Sequence, residues 1–558
     1  MTGTNQTIDE RSLNRLKLIF FVFLLLFSIV VARLAYIQIF NSTKYKKLAE
    51  LQHLKKVELK AKRGEIYDRN GILLASTLNS RSFAIDPLIV RKNNETLNRF
   101  FSFAKKLGLE NQIFSEVLNS NKRFLWVKRG LVDYPKELDT FSFPGLISLT
   151  EPKRFYLYGS SVSNLIGLTN LDNVGIAGIE YFLDSILKGT DGFSYFLKDA
   201  LGRLVPDIEL PSEPAIDGRS IRLTIDINLQ RLVSYFLKMG VQETAAKGGC
   251  IIALNPKTGE ILAMANFPNF DPANTAQLSN ENLINYAVNY AFEPGSTLKP
   301  IIAAIGLESN IISESQLFNG YNGKFTLGDF NITDEHPFSM LTLKDALIFS
   351  SNIAFAQIAA LIPNEILEQR LKKLGFGCKT GIPFPGELKG YITREDSLSL
   401  VQRMFIGYGY GIYATPLQVA MAYCAIANSG LLPKAKLLFE DLETSPIDTV
   451  FQKQTTDILK NYLVDVVNIG TAVGAKVDGI TIAGKTGTSQ KFEQGKYSKT
   501  LYTNTFVGFL PAENPKFLML ILLDEPKTSI YASNTVVPLF RKIVLAITNS
   551  KLTSYIYD

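Results

Sequence analysis

The pattern of hydrophobic and polar positions begins with one long apolar segment. Residues 18–32 are apolar apart from Ser28, and after Arg33 the apolar run resumes as far as residue 40. An α-helix through residue 39 would be about 33 Å long, enough to cross a hydrocarbon core of roughly 30 Å if Arg33 reaches toward the interface. The pattern predicts a membrane-spanning helix over residues 18–40, preceded by a short tail at residues 1–17.

The surroundings of this segment favour an anchor that stays attached to the protein. No small-residue cleavage motif of the kind that ends a signal peptide follows the apolar run. Basic residues flank the segment on both sides, so the positive-inside rule gives no clear orientation. A buried hairpin helix is the alternative, and a position so close to the N-terminus disfavours it.

Beyond the anchor, the pattern changes twice. Residues 41–215 contain short irregular pieces and turn signals, which are typical of an α+β domain. From about Leu223 the chain alternates more regularly between strand-like and helix-like segments. Pairs of short apolar runs with turn residues between them predict two β-hairpins, at residues 250–254 with 261–265 and at residues 505–510 with 517–523. Pro538 then opens an apolar helix that we expect to run to about Thr548.

Composition and charge narrow the class of protein. The chain is 46% hydrophobic and 20% charged, as in ordinary globular proteins, and its net charge of +7 includes no basic run dense enough to favour nucleic acid. The three cysteines lack metal-ligand spacing, and Cys250 lies in an apolar run that suits core packing. Because His53 and His336 are the only histidines, a Ser-His-Asp hydrolase has little support. We expect neither a metal nor another cofactor.

The first candidate chemical motif is the sequence Ser-Thr-Leu-Lys at residues 296–299. A Pro-Gly pair precedes it, and Pro300 after it lacks an N–H donor, which a helix tolerates only in its first turn. We therefore expect Ser296 at the start of a helix and Lys299 one turn along on the same face. A serine needs a neighbouring base to act as a nucleophile, and a lysine of lowered pKa can supply one. Alone, the motif also fits an ordinary surface serine and lysine.

The second motif is Ser-Ser-Asn at residues 350–352, directly before an apolar helix-like run. Ser350 offers a hydroxyl that could relay a proton, and Asn352 offers an amide that could hold a substrate carbonyl. Helix capping alone would also explain these residue types at this place.

The third motif is Lys-Thr-Gly-Thr at residues 485–488, after a strand-like run. Lys485 supplies a fixed cation, and Thr486 and Thr488 belong to the segment that would bind substrate, with the Thr488 hydroxyl suited to a carboxylate. Gly487 would leave room for a peptide to lie along the strand edge. Four specified residues make this motif much rarer by chance than the other two.

In this order, the three motifs match the S-x-x-K, S-x-N and K-T-G set of penicillin-binding proteins and serine β-lactamases. Residues 63–71 and 175–180 resemble the first and third pedestal motifs of class B penicillin-binding proteins. Residues 154–159 are similar to the second, with Leu157 where the family usually has proline. Serine β-lactamases lack such a pedestal, so the chain resembles the class B proteins.

This resemblance implies a fold and a domain order. We expect a penicillin-binding, serine β-lactamase-like α/β (α+β) transpeptidase domain at residues 216–558, and an elongated α+β pedestal of the dimerisation type at residues 41–215. The Phe-Glu-Pro-Gly lead into Ser296 and the stretch at residues 82–87 are similar to the division-specific subgroup. An elongation-specific transpeptidase is the alternative.

The resemblance also implies a mechanism. Ser296 would attack the D-Ala-D-Ala carbonyl of a peptidoglycan stem peptide with Lys299 as base, and Ser350 would relay the proton to the departing D-Ala. The backbone N–H groups of Ser296 and Thr488 would form the oxyanion hole. Asn352 and Lys485 complete the implied catalytic set, with the rest of the third motif on the substrate. A second stem-peptide amine would then take the acyl group, and β-lactams would stall the enzyme as acyl adducts.

The implied surroundings are the cytoplasmic membrane, with the short N-terminal tail inside and the catalytic domain outside it. The implied partners are a polytopic glycosyltransferase and other division proteins, with no nucleic acid. Other functions remain open at this point: a β-lactamase or D,D-carboxypeptidase, a β-lactam sensor, or a division scaffold without activity. The intact motifs disfavour the scaffold, and the short segment before the span disfavours the sensor.

Overall fold

The computed structural model describes residues 10–46, 54–109, 112–198, 204–206, 210–328, 330–440 and 447–557. The chain forms two compact units. One combines Met1–Ala61 with Thr190–Asp217, and the other combines Lys62–Gly189 with Gly218–Asp558.

The strands are short in the first third of the chain and longer near its end. In chain order they are β1 Leu54–Leu59, β2 Ile66–Tyr67, β3 Leu73–Ile85, β4 Leu125–Leu131, β5 Leu146–Tyr156, β6 Leu168–Thr169, β7 Gly175–Ala177, β8 Gly192–Lys198, β9 Leu204–Pro206, β10 Ser212–Glu213, β11 Ile221–Arg222, β12 Gly248–Leu254, β13 Ile261–Phe267, β14 Leu317–Asn319, β15 Lys324–Leu327, β16 Phe330–Thr333, β17 Met340–Thr342, β18 Leu431–Leu432, β19 Asp448–Thr449, β20 Ala483–Glu493, β21 Lys496–Leu510 and β22 Phe517–Asp524.

The α-helices alternate with these strands. In chain order they are α1 Glu10–Ala35, α2 Pro87–Val90, α3 Asn94–Lys106, α4 Gln112–Asn119, α5 Ser163–Ile166, α6 Gly178–Phe182, α7 Asp184–Leu187, α8 Ile227–Thr244, α9 Asn280–Leu283, α10 Tyr286–Asn289, α11 Lys299–Glu308, α12 Leu343–Ile348, α13 Asn352–Leu361, α14 Asn364–Lys373, α15 Leu400–Gly407, α16 Pro416–Ala427, α17 Lys453–Asn468 and α18 Val536–Thr548.

The first unit holds the anchor and a small sheet. Helix α1 continues into a π-helical turn at Tyr36–Phe40, and the apolar span covers Leu13–Phe40, with none of its most apolar window buried within the protein. The predicted segment is therefore one helix that is long and apolar enough to cross a membrane, and this helix begins earlier than residue 18. Strands β1, β8 and β10 form an antiparallel sheet, and β9 pairs with β8. The Lys56 amine lies 4.3 Å from the centre of the Phe193 ring.

In the second unit, the pedestal portion is built on the long strand β3. Strand β5 pairs with β3 along its length, from Ala75 opposite Tyr156 to Ile85 opposite Leu146. Helices α3 and α4 cover a core of aromatic rings, in which Phe83 and Phe103 are fully buried and make an edge-to-face contact at 5.0 Å. Burial of such large side chains is the main stabilising term for a small layer of this kind.

The transpeptidase portion contains a five-stranded antiparallel sheet in the order β13-β12-β22-β21-β20. Every residue of β12 and β22 is buried, so helices cover both faces of the sheet and the strands are continuously apolar. Helices α8 and α18 pack together on the sheet, while α16 and α17 form part of a second helical group. Both predicted β-hairpins are confirmed, as β12–β13 and β21–β22. The last helix begins at Val536, so Pro538 lies within its first turn rather than opening it.

The three pedestal motifs meet at one buried carboxylate. Glu180 accepts hydrogen bonds from the guanidinium groups of Arg63 and Arg154, each at 2.6 Å, and all three side chains are at most 1% exposed. Arg63 also contacts Asp184 at 2.6 Å. The cluster forms although Leu157 departs from the family pattern in the second pedestal motif, so the three motifs still meet at Glu180.

The first pedestal motif also joins the pedestal portion to the transpeptidase portion. One oxygen of Asp68 accepts the N–H groups of Asn70 and Ile72, which closes the turn of the motif. Its other oxygen accepts the N–H of Ile227, the first residue of α8, at 3.2 Å. The turn therefore contributes a hydrogen-bond acceptor to the N-terminus of α8, the helix that packs on the main sheet.

We predict that Glu180→Gln lowers the free energy of unfolding by about 3–5 kcal/mol, because two guanidinium groups would stay buried without their shared counter-charge. Chemical denaturation measures the loss. Asp172→Asn is the matched control, since Asp172 pairs with Arg129 but its side chain is 70% exposed; we expect a change below about 1 kcal/mol. Equal small effects from both substitutions would contradict the role given to Glu180.

Candidate active site

The first motif lies where a 3₁₀ turn passes into a helix. The turn spans Gly295–Leu298, and α11 begins at Lys299. Gly295 has a φ of 54°, which favours glycine, and its N–H donates to the Gly409 carbonyl at 3.0 Å. The Tyr423 hydroxyl donates to the carbonyl of Thr297 at 2.7 Å. The predicted placement of Ser296 in a first turn and Lys299 one turn later is confirmed.

The second motif ends α12 and starts α13. Ser351 is the N-cap residue of α13, and its hydroxyl accepts the N–H of Ala354 at 3.0 Å. Ser350 has a φ of 58°, which is uncommon for a residue with a side chain. The capping role considered from sequence is thus real for Ser351, and it leaves Ser350 and Asn352 free for other contacts.

The third motif lies on β20, the edge strand of the main sheet, where Lys485 pairs with Val507 of β21. A Cβ atom at Gly487 would lie 2.8 Å from Cγ2 of Thr297 and 3.0 Å from the Pro294 carbonyl oxygen. The sequence predicts that the missing side chain leaves room for a substrate peptide. The structure corrects this reason, because Gly487 lets the strand approach the turn that carries Ser296.

The amine of Lys299 contacts two residues of the second motif. Nζ of Lys299 donates to the Ser350 carbonyl at 2.6 Å, to Oδ1 of Asn352 at 2.8 Å and to Oγ of Ser350 at 3.2 Å. Lys299 is fully buried, and its amine lies 5.8 Å from the centre of the Phe355 ring. Every polar partner of this amine among the described residues therefore comes from residues 350–352.

Burial lowers the pKa of Lys299 well below its ordinary value, and the positive charge of Lys485 lowers it further. Asp334 and Glu335 act in the opposite direction but do not reverse the shift. A neutral amine in a buried site can accept a proton, which is the property that the sequence argument required of a base.

The second lysine amine shares a ligand with the first. Nζ of Lys485 donates to Oγ of Ser350 at 3.0 Å and to the Thr486 carbonyl at 3.3 Å. Burial lowers the pKa of Lys485 to about 7, and Glu335 opposes this shift. Its charge, treated as fixed from sequence, therefore depends on pH. The charge of Lys485 adds to the lowering of the pKa of Lys299, so the protonation states of the two amines are linked.

The Ser296 side chain differs from the two lysine side chains in its surroundings. Its side chain is half-buried, and its hydroxyl forms no hydrogen bond with the residues that the structure describes. In this state the Lys299 amine is held by the second motif. The structure shows no hydrogen bond between the Ser296 hydroxyl and the Lys299 amine, and hydrogen bonds between a nucleophile and a base often form only with substrate present.

The remaining residues of the third motif have partners of their own. The Thr486 hydroxyl lies 2.9 Å from the Thr471 hydroxyl, and Thr486 is buried. Oγ1 of Thr488 accepts the N–H of Ala532 at 3.1 Å, which leaves its proton free to donate to a substrate carboxylate.

Sequence reasoning missed two carboxylates beside the site. Asp334 follows β16 and accepts hydrogen bonds from the backbone N–H groups of Asn352 and Ile353 at 2.5 and 3.1 Å. Glu335 is exposed and raises the pKa of both lysines. Asp334 and Glu335 follow a polar strand and match no sequence motif, so the sequence alone does not associate them with the site.

Comparison with known proteins gives the family. The family profile described as "Penicillin binding protein transpeptidase domain" matches residues 249–545, which is more than half of the chain, and "Penicillin-binding Protein dimerisation domain" matches residues 58–223. The chain belongs to the class B penicillin-binding proteins, as the sequence motifs indicate. It is a membrane-anchored peptidoglycan D,D-transpeptidase of the serine type, and its family acts on peptidoglycan and binds β-lactams.

Individual relatives cover nearly the whole chain. The peptidoglycan D,D-transpeptidase FtsI of Buchnera aphidicola subsp. Baizongia pistaciae is 30% identical over 98% of this chain and 98% of its own length. The probable peptidoglycan D,D-transpeptidase PenA of Neisseria gonorrhoeae is 29% identical over 95% of this chain and 91% of its own. Among solved structures, penicillin-binding protein 3 of Mycobacterium tuberculosis, complexed with aztreonam, has a TM-score of 0.69 and 25% identity, covering 88% of this chain and 97% of that chain.

We predict a different response of the two lysines to arginine. Lys299→Arg should reduce acylation by a β-lactam nearly as much as Lys299→Ala, because a guanidinium cannot accept a proton. Lys485→Arg should retain more acylation. In the wild type, acylation efficiency should fall as the pH rises through about 7, where Lys485 loses its charge. Lys485→Arg should remove this alkaline fall, because its guanidinium stays charged.

Stopped-flow measurement of the second-order acylation constant from pH 5 to 10 tests this division of roles, because that constant reports the free enzyme. Equal tolerance of arginine at both positions, or an alkaline fall that persists in Lys485→Arg, would contradict it.

Proposed function

We propose that this chain cross-links peptidoglycan stem peptides at the division septum, through an acyl-enzyme on Ser296, outside the cytoplasmic membrane. The observation that carries the proposal is the shared hydroxyl of Ser350, which lies 3.2 Å from the Lys299 amine and 3.0 Å from the Lys485 amine. The Ser350 hydroxyl thereby joins a buried base to a second cation, and the half-buried Ser296 lies one turn before that base.

In the acylation step, Oγ of Ser296 attacks the carbonyl carbon of the penultimate D-Ala, and the neutral amine of Lys299 takes the hydroxyl proton. The backbone N–H groups of Ser296 and Thr488 stabilise the negative oxygen of the tetrahedral intermediate. The C–N bond then breaks, and the leaving D-Ala nitrogen receives the proton from Lys299 through the Ser350 hydroxyl. This leaves an ester on Ser296 and regenerates the neutral amine.

Substrate recognition would use the charge and hydroxyl groups at the edge of β20. The terminal carboxylate of the donor peptide pairs with Lys485 and accepts a hydrogen bond from the Thr488 hydroxyl, beside Thr486 and Gly487. The second hydrogen on Nδ2 of Asn352 holds a carbonyl oxygen of the donor, while Oδ1 of Asn352 accepts from Lys299. A carboxylate at Lys485 raises the pKa of that lysine, so donor binding itself favours the charged form.

In the deacylation step, the amine of a second stem peptide attacks the ester carbon, Lys299 accepts a proton from that amine, and Ser296 leaves with a proton returned to its oxygen. A β-lactam takes the place of the donor and remains attached as an acyl group. The neighbouring structure of the Mycobacterium tuberculosis protein, which is complexed with aztreonam, supports this class of inhibitor.

The septal assignment is supported by relatives that carry the name FtsI and by the Glu-Pro-Gly sequence before Ser296. The tail before the span would lie in the cytoplasm, with the pedestal at residues 41–215 and the transpeptidase domain at residues 216–558 on the outside. A polytopic glycosyltransferase and other division proteins are the proposed partners.

We predict that Ser296→Ala abolishes covalent labelling by a fluorescent penicillin and leaves the melting temperature unchanged, because the change removes only the attacking oxygen. Ser489→Ala is the matched control. Ser489 lies on the same strand as the third motif and is buried, and its hydroxyl lies 3.5 Å from the Thr503 carbonyl oxygen; labelling should persist. Mass spectrometry that places the acyl group on any residue other than Ser296 would disprove the assignment.

We also predict that the anchor has a partner. Arg33 and Gln38 are polar groups within the mostly apolar residues 18–40, and such groups usually face protein rather than lipid. Replacing residues 18–40 with an unrelated apolar helix should preserve membrane insertion and penicillin acylation. It should nevertheless abolish co-purification with the glycosyltransferase and fail to support septation. A replaced chain that complements a division-defective strain would show that the helix is only a tether.

A further inference from the structure

Asp334 binds the start of the helix that carries the second motif. Its Oδ1 accepts the N–H groups of Asn352 and Ile353, at 2.5 and 3.1 Å, and its Oδ2 accepts the hydroxyl proton of Ser351. The N–H of Asp334 donates to the Gly323 carbonyl at 3.1 Å. The carboxylate therefore connects the β15–β16 hairpin to α13 across a separation of 18 residues in sequence.

This contact completes the N-terminus of α13. The first N–H groups of a helix have no partner within the helix, and the positive end of its dipole favours a carboxylate. Asp334 satisfies the first two donors, and the Ser351 hydroxyl satisfies the third by accepting from Ala354. Ser351 can accept in this direction because its proton is directed to Asp334.

The same hairpin fixes the side chain of Asn352. Nδ2 of Asn352 donates to the Thr333 carbonyl at 2.9 Å, so its Oδ1 is left to accept from Lys299 at 2.8 Å. The three acceptors of the Lys299 amine all lie within residues 350–352. The position of that amine relative to Ser296 thus depends on how the hairpin holds this segment.

We propose that Asp334 is a positioning residue for acyl transfer: through Ser351 and Asn352 it sets the location of the Lys299 amine, and its negative charge acts on that buried amine. The inference rests on the proposed function of Ser296 and Lys299. Asp334 has no contact with Ser296 and is not itself a catalytic residue.

Asp334 has an electrostatic effect that a purely structural contact would lack. The charged groups that act on Lys299 are Lys485 from β20, which lowers its pKa, and Asp334 and Glu335 after β16, which raise it. Removing the charge of Asp334 lowers the pKa of Lys299 further. The acid limb of the acylation profile, where Lys299 becomes neutral, should therefore move to lower pH.

The experiment measures the second-order constant for acylation by a fluorescent penicillin against pH in the full-length chain. Asp334→Asn should reduce the plateau by at least about tenfold, because small displacements of a catalytic group are costly, and should shift the acid limb to lower pH. Asp334→Glu keeps the charge but misplaces the oxygens, so its plateau should fall while its acid limb stays in place.

Two control variants distinguish the effect of charge on acylation from the effects of side-chain position and of protein stability. Glu335→Gln removes a charge that raises the pKa of both lysines without a hydrogen bond to the second motif, so the acid and alkaline limbs should both move to lower pH. Asp334→Asn should move the acid limb alone. Asp226→Asn removes the carboxylate that accepts the N–H groups of Asn228 and Leu229 at the start of α8. It should affect the melting temperature alone.

The outcomes are distinct. If Asp334→Asn keeps the plateau and the acid limb of the wild type, the positioning role is overturned. The role is also overturned if Asp226→Asn, with the same melting temperature as Asp334→Asn, shows the same reduced plateau. If Asp334→Asn does not fold, Asp334→Glu decides, and an unchanged plateau there overturns the inference. A wild-type chain that takes up no penicillin would instead overturn the proposed function, and this inference with it.

Discussion

The site depends on the burial of two lysine amines in one small volume. Neither Lys299 nor Lys485 forms an ion pair with a carboxylate among the described residues, so each loses hydration without a full counter-charge. Desolvation lowers the pKa of both lysines, and the charge of Lys485 lowers that of Lys299 further, so that an amine able to accept a proton lies beside a titratable cation. The free energy that this arrangement costs must be supplied by the packed sheet and helices around it.

The rest of the fold can be understood as support for this arrangement. The fully buried strands of the main sheet provide a rigid edge at β20, and the turn of Ser296 lies directly against that edge because Gly487 has no side chain. On the pedestal side, Asp68 joins its turn to α8, which packs on the same sheet. A disturbance of the buried Glu180 cluster is therefore expected to affect stability before it affects chemistry.

Features set by neighbouring residues were predictable from sequence, whereas features set by distant contacts were not. The turn at Gly295, the helix start at Lys299 and the hairpin β21–β22 follow from proline, glycine and alternation within a few residues. Asp334 lies in a region without periodicity, and only the tertiary fold brings it to α13. The purpose of Gly487 was misassigned for the same reason, since its neighbour Thr297 is remote in sequence. The early start of α1 shows that polar residues can extend an apolar helix.

The left-handed backbone of Ser350 has a consequence for how the enzyme can evolve. At a φ of 58°, glycine, asparagine and aspartate are the residues that a lineage could most readily substitute, and none of them carries a hydroxyl. Threonine keeps the hydroxyl, but its branched side chain makes this backbone conformation worse. Under the proposed mechanism, residue 350 must be both left-handed and hydroxylated and has no neutral replacement, so heritable resistance to β-lactams would have to arise at other positions.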